Sequence, residues 1–418
     1  MTTATNPHEP VAVDAEGFGA ALRSRWDGIR AGDVGSLPII LALLAIAVFF
    51  QSKNSHFDDP GNIVNLMIQM AGFTMIGLGV VFVLLLGEID LSAGYVSGVC
   101  GVVAAKLTEP PGTASSWPIH VPGLVAIAVA LACGLAIGLL QGTIIVKFGV
   151  PSFVVTLAGY LAWAGVVLIL IGLGGTIPIQ DKYINGIAND FFSHRAGAAL
   201  IAAGVLAYGA SQYLKYVSRR RAGLDSGALP FVLAKIAAVA LVCWFVEHYA
   251  YRPGAIPRGL PYVTLLLGIV IAVLSYVATS TRFGRHIYAV GGNAEAALRA
   301  GINVDRIRIA GFMIGSTMAA LGGVILASRL QSVDTEAGGS TLLLDSIATA
   351  VIGGTSLFGG RGHPKNALFG GLVIASLANG MGLIGYSAGV QELVTGLILL
   401  AAVLVDSLSR KRLAASGR

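Results

Sequence analysis

Charge is scarce in this sequence of 418 residues, with 11% of them Asp, Glu, Lys or Arg against about 25% in ordinary soluble domains. A solvated globular surface cannot be built from so few. Cysteine is scarce too, and Cys100, Cys133 and Cys243 all fall inside apolar blocks without a CxxC pair or any Cys/His metal-ligand spacing. They read as packing residues and exclude a thiol-based metal site. Catalytic signatures are missing: there is no G-x-x-x-x-G-K-[ST] phosphate loop, no G-x-S-x-G elbow and no H-E-x-x-H. The glycine-rich run Gly359 to Lys365 lacks the Walker spacing, so the chain by itself should neither bind nor hydrolyse ATP. No cofactor or metal is expected. An A-x-A cleavage site is also missing from the polar stretch 1–33, which reads as a cytoplasmic tail and not as a removable signal.

What is present is apolar side chain, 55% of the residues, gathered into long blocks such as Ala71 to Leu86 and Pro261 to Ala278. A run of roughly 20 such residues crosses a hydrocarbon core of about 30 Å. The expected fold is therefore all-α, a polytopic transmembrane helical bundle occupying residues 34–408, with a basic cytoplasmic tail at 409–418. Twelve candidate spans start near Leu37, Ala71, Gly94, Val121, Ser152, Ala196, Leu229, Gly259, Ala310, Leu342, Ala367 and Gln391, and ten or eleven remain alternatives. The third, Gly94 to Leu107, is short enough to be tilted, broken or re-entrant. Among the 56 glycines, Gly98, Gly101, Gly134 and Gly138 fit close helix contacts, since lipid gives apolar helices no hydrophobic reason to associate.

The net charge of +6 does not point to nucleic acid, because Lys and Arg sit in short clusters between apolar blocks. With both termini inside, about nineteen basic residues fall in cytoplasmic segments and about seven outside, as the positive-inside rule requires. Arg219 to Arg221, Arg282 to Arg308 and Arg410 to Arg412 then share the inner side. Position 226 is expected inside and position 335 outside. Val81 to Gly101 and Ile347 to Gly371 also resemble each other, each passing from an apolar helix through a Gly-rich turn into another apolar helix.

Intramembrane carboxylates are few: Glu88, Asp90, Asp345 and Glu392. Ion coupling needs such groups, and this is a thin set for it. Glu88 and Asp90 read either as a capping turn or as a polar lining beside a gate. The loop 281–309 is richer. Asn293 is a good N-cap, Ala294 to Ala300 favours helix and Gly301 supplies a left-handed stop, while Glu295 and Arg299 form an i,i+4 pair. So short a helix needs something to pack on.

That loop, Arg282-Phe283-Gly284-Arg285-His286-Ile287-Tyr288-Ala289-Val290-Gly291-Gly292-Asn293 with Gly301-Ile302, resembles the ATPase-engaging loop of the permease subunits of ribose-, xylose- and galactose-type ABC importers. Gly87 to Ala93, Val150 to Leu157 and Gly353 to Gly360 match further family segments in family order over roughly 62–412. Asn379-Gly380-Met381, Gln391 and the tail from Leu404 are similar to the xylose-type branch, whereas Glu88 and Ala378 depart from common family residues. The resemblance implies coupling to an ATPase through Arg282, Gly284, Gly291, Gly292, Asn293, Glu295, Ala297, Leu298 and Gly301. It implies a pathway or gate at Glu88, Asp90, Ser92, Phe153, Thr156, Asn379 and Gln391. The implied partners are a cytoplasmic ABC ATPase that uses ATP and Mg²⁺, a periplasmic sugar-binding protein, a second permease forming a homodimer, and the lipid bilayer of the inner membrane. The alternative is a secondary transporter of a small polar solute driven by an ion gradient.

Overall fold

The computed structural model describes residues 37–112, 117–172, 175–223, 229–252 and 259–415, so the expected tail at 1–33 and position 226 lie outside the described residues. Helices dominate. In chain order they are α1 (Leu37–Lys53), α2 (Pro60–Leu85), α3 (Ala93–Thr108), α4 (Gly123–Phe148), α5 (Ser152–Ile171), α6 (Lys182–Asn189), α7 (His194–Arg221) and α8 (Leu229–Tyr251). There follow α9 (Tyr262–Ser280), α10 (Arg282–Gly292), α11 (Ala294–Arg299), α12 (Val304–Leu330), α13 (Ser340–Ile352), α14 (Ala367–Leu383) and α15 (Ala388–Ala415). Among the described residues, eight helices are long and apolar enough to cross a membrane, and α1, α3, α13 and α15 contain shorter apolar stretches. Each span start read from the sequence falls within or beside one of these twelve helices.

The residues divide into two compact units. One comprises 195–248, the hairpin of α7 and α8, in which almost no residue is buried, as expected of faces solvated by lipid. The basic run Arg219 to Arg221 closes α7 where the helix dipole favours cations.

The other unit holds everything else, with α2 and α12 at its centre. Proline at the first position starts α2 at Pro60, eleven residues before the apolar run beginning at Ala71, because its fixed φ suits a first turn and its missing N–H is not needed there. From Met70 to Leu85 every residue of α2 is buried. A helix so covered is solvated by protein, not lipid. Asn303 caps α12 by accepting from the Arg306 amide at 2.9 Å, and Gln331 ends it in the left-handed region at φ +53°.

Packing around α12 depends on small residues. A Cβ on Gly138 would strike the Phe312 carbonyl and one on Gly323 the Ser97 carbonyl, so α4 and α3 approach α12 closely enough to touch backbone. Gly101 and Gly134 make contacts of the same kind, as read from the sequence, whereas Gly98 packs on the Ala337 carbonyl in the loop before α13 and not on a helix. Helix α3 spans only about 24 Å at 1.5 Å per residue and is buried along nearly its whole length, the condition under which a short helix is tolerated at membrane depth.

The purely helical expectation needs two additions. Strand β1 (Thr176–Pro178) pairs antiparallel with β4 (Ser332–Asp334), and β2 (Phe191–Phe192) pairs with β3 (Leu260–Pro261). Asp181 caps α6 by accepting from the amides of Tyr183 and Ile184. These segments are too short for periodicity to register in the sequence.

Candidate functional site

Two polar regions meet at one end of α2. The first is the turn from Leu86 to Ser92, opened by Gly87 at φ +75°. Asp90 is almost wholly buried there, and its Oδ1 accepts from the Ser92 amide at 2.8 Å and the Ser92 hydroxyl at 2.6 Å. Its Oδ2 has no hydrogen-bond partner. Burial pushes the Asp90 carboxyl above the ordinary range, opposed by the hydrogen bonds from Ser92 and Ala93. Ser92 is linked onward to Gln141 of α4 at 2.9 Å. The start of α5 holds the same turn, because Ser152 Oγ accepts from the Ile89 amide and Thr156 Oγ1 lies 3.2 Å from the Ile89 carbonyl. Glu88 faces Arg308 of α12, with Oε1 3.0 Å from Nε.

The second region is the segment after α9. Read as a loop with one short helix, it holds two helices. Thr281 caps α10 by accepting from the Gly284 amide at 3.1 Å, a signal carried by a single threonine and easily missed. Asn293 caps α11 by accepting from the Ala296 amide at 2.9 Å, and Gly301 ends the helix at φ +82°, with the Ile302 amide bonded to the Ala297 carbonyl. Both features were expected from the sequence. Leu298 is 62% exposed and borders a groove of about 630 Å³ with Ala294, Glu295, Ile302, Asp305 and Arg308. Arg282, Gly292 and Asn293 are also exposed, whereas Ala297 turns inward and cannot present a contact surface.

The two regions touch. The Gly360 amide donates to the Leu85 carbonyl at 2.9 Å, and a Cβ on Gly291 would collide with that carbonyl. Gly359 lies against Gly87, so the turns of the two similar stretches, 81–101 and 347–371, pack on each other with α10 beside them. Tyr288 of α10 adds a hydrogen bond to the Gly362 carbonyl at 2.8 Å. Gly284 instead packs under the end of α9.

Of the expected pathway residues, Glu88, Asp90, Ser92 and Thr156 gather at this turn. Phe153 is half exposed on the outer face of α5. Asn379 is elsewhere: it exchanges hydrogen bonds of 2.8 and 2.9 Å with Asn62, at the far end of α2 and about 35 Å along the helix from Leu86. Gln391 only bonds the nearby Tyr386 carbonyl. Phe153 shares the depth of Ser152 and Thr156 but faces away from the turn, while Asn379 and Gln391 lie apart from it, because periodicity places a residue on a helix but not at a depth shared with another helix. Gln141, Ser152 and Arg308 were missed. The signal for Gln141 was a neutral polar side chain within an apolar run. Among the described residues, no cluster of His, Cys, Asp and Glu could hold a metal ion.

A mostly helical bundle with helices of membrane-spanning length, a buried polar turn and an exposed, capped helix beside it is the frame of a multi-pass membrane protein. The family model described as branched-chain amino acid transport system / permease component matches residues 62–403, and the chain belongs to that family. It is 36% identical to the xylose transport system permease protein of Escherichia coli over 93% of this chain and 95% of that one. The Haemophilus influenzae protein of the same description is 34% identical over 90% and 98%. The ribose import permease protein of Escherichia coli is 31% identical over 88% and 92%. No solved structure matches the chain.

Proposed function

We propose that this protein is the translocation subunit of an ATP-driven importer of the inner membrane that carries a monosaccharide, a pentose such as xylose. A cytoplasmic ATPase, which alone binds ATP and Mg²⁺, docks on α11 and its groove. A periplasmic binding protein delivers the sugar, and two identical permease subunits complete the membrane core. The chain crosses the bilayer twelve times with both termini inside. The observation that carries the reading is that α10, which leads directly into the exposed α11, packs through Gly291 on Leu85 at the end of α2 and on Gly360, beside the polar turn. A push on α11 reaches the mouth of α3 through packed backbone. Ser92, Gln141 and Thr156 are buried and bonded within the turn and its supports, so a sugar would meet them only when the turn moves. The similarity to proteins described as xylose and ribose permeases supports a sugar as substrate.

The test is uptake of labelled pentoses and hexoses by proteoliposomes holding the permease, the ATPase and the binding protein. Pentose uptake that requires internal or added ATP supports the proposal. Uptake driven by an ion gradient without the ATPase would replace it with a secondary transporter.

A further inference from the structure

Glu88 and Arg308 hold opposite charges 3.0 Å apart at a place where both are partly removed from water, their side chains 14% and 33% exposed. Glu88 belongs to the turn that leads into α3. Arg308 stands one helical turn into α12 and also lines the groove bordered by Leu298. The same arginine therefore lines the docking groove and meets the polar turn with its Nε. That nitrogen lies close to Glu88 Oε1 without the alignment of a hydrogen bond, so the two are joined by charge alone. Such a contact can open and close without breaking a directional bond. Apolar packing follows the same line, since Gly311, one turn beyond Arg308, lies against the Leu86 side chain.

The route from groove to turn is short in sequence as well. Helix α11 stops at Gly301, Asn303 caps α12, and Arg308 follows within the first two turns.

We propose that Glu88 and Arg308 form a latch that ties the polar turn to the docking groove, with Arg308 a positioning residue that moves the turn when the groove is occupied. The proposal rests on the permease reading above. The latch needs only that one charge of each sign be present. Without it, the ATPase can cycle while the turn stays behind, so ATP is consumed without matching transport.

The experiment measures sugar transported per ATP hydrolysed by the complete complex in proteoliposomes, for a labelled pentose that the parent complex takes up. Glu88→Gln and Arg308→Gln should each lower that ratio by about fivefold or more, the low end of coupling between two sites. The yield of assembled complex should not change. Exchanging the charges, Glu88→Arg with Arg308→Glu, should recover most of the parental ratio, which a role in packing alone would not do. Parental ratios in both single variants, or no recovery in the exchanged one, overturn the latch. If neither single variant assembles, the exchanged one decides: a ratio near parental supports the latch and an uncoupled ratio overturns it. A parent complex with no ATP-driven uptake overturns the permease reading and the latch with it, whereas a transporting parent with indifferent variants overturns the latch alone.

Discussion

Gly291 of α10 lies so close to the carbonyl of Leu85 that no side chain fits between them, and Gly360 donates its amide to the same carbonyl at 2.9 Å. One backbone oxygen at the buried end of α2 thus receives both α10 and the second glycine turn. Rigid packing of this kind passes a displacement on without absorbing it.

Gly291→Val therefore should separate α10 from α2. Overpacking costs about 1–3 kcal/mol, and the obstacle here is backbone, which cannot rotate away. The variant should melt several degrees lower than the parent in a detergent thermal-shift assay and lose most uptake. Gly292→Val, where a Cβ meets nothing within 4 Å, serves as the control and should melt near the parental temperature.

Asp90 should trade stability for function. Burial raises its pKa, so the folded chain holds the proton to higher pH than the unfolded chain does. The stability it contributes is complete at pH below the unfolded value and falls as pH rises through the window up to the raised value. Asp90→Asn keeps the oxygen that accepts from Ser92 and removes the ionisation. Its melting temperature at pH 7 should equal or exceed that of the parent, with reduced uptake. A lower melting temperature together with full uptake would leave Asp90 a structural cap.

Close helix contacts give a sharper stability prediction. Gly323→Leu places a side chain against the Ser97 carbonyl where α3 meets α12, and should prevent accumulation of folded protein. Gly268→Leu in α9, with open space around it, should accumulate normally, as gel filtration of solubilised membranes would show.

Orientation can be checked with single cysteines in a chain whose Cys100, Cys133 and Cys243 are replaced. Thr335→Cys should react with a membrane-impermeant thiol reagent in intact cells, and Ala296→Cys should react only after lysis. The reverse pattern would invert the topology.

Much of this was legible in the sequence, because long apolar runs and caps are local signals. The existence of an apolar helix at or beside each expected span and the whole of α11, from Asn293 to Gly301, follow from local chemistry. The start of α2 was read eleven residues late, since the stretch from Pro60 to Met70 mixes Asn and Gln with apolar residues and lowers the hydropathy of a buried helix. The site was legible only in part. Glu88, Asp90 and Ser92 are neighbours in the chain, so their proximity was certain. Gln141 and Arg308 reach them from other helices, and Asn379 proved to belong to the far end of α2, because depth is fixed by tertiary packing that no single-helix pattern records.

If α11 carries ATPase motion into the membrane, Leu298→Asp should break that link. Leu298 is exposed in this subunit, and surface substitutions usually change stability by no more than about 0.5 kcal/mol, so the variant should fold and insert normally. Docked in a partner groove, the new carboxylate would be an unpaired buried charge costing about 3–5 kcal/mol, a weakening of two to three orders of magnitude or more. The measurement is ATP-dependent sugar uptake together with co-purification of the ATPase. Both should be lost while the permease accumulates in the membrane at the parental level. Parental uptake with the ATPase still bound would contradict this role of α11.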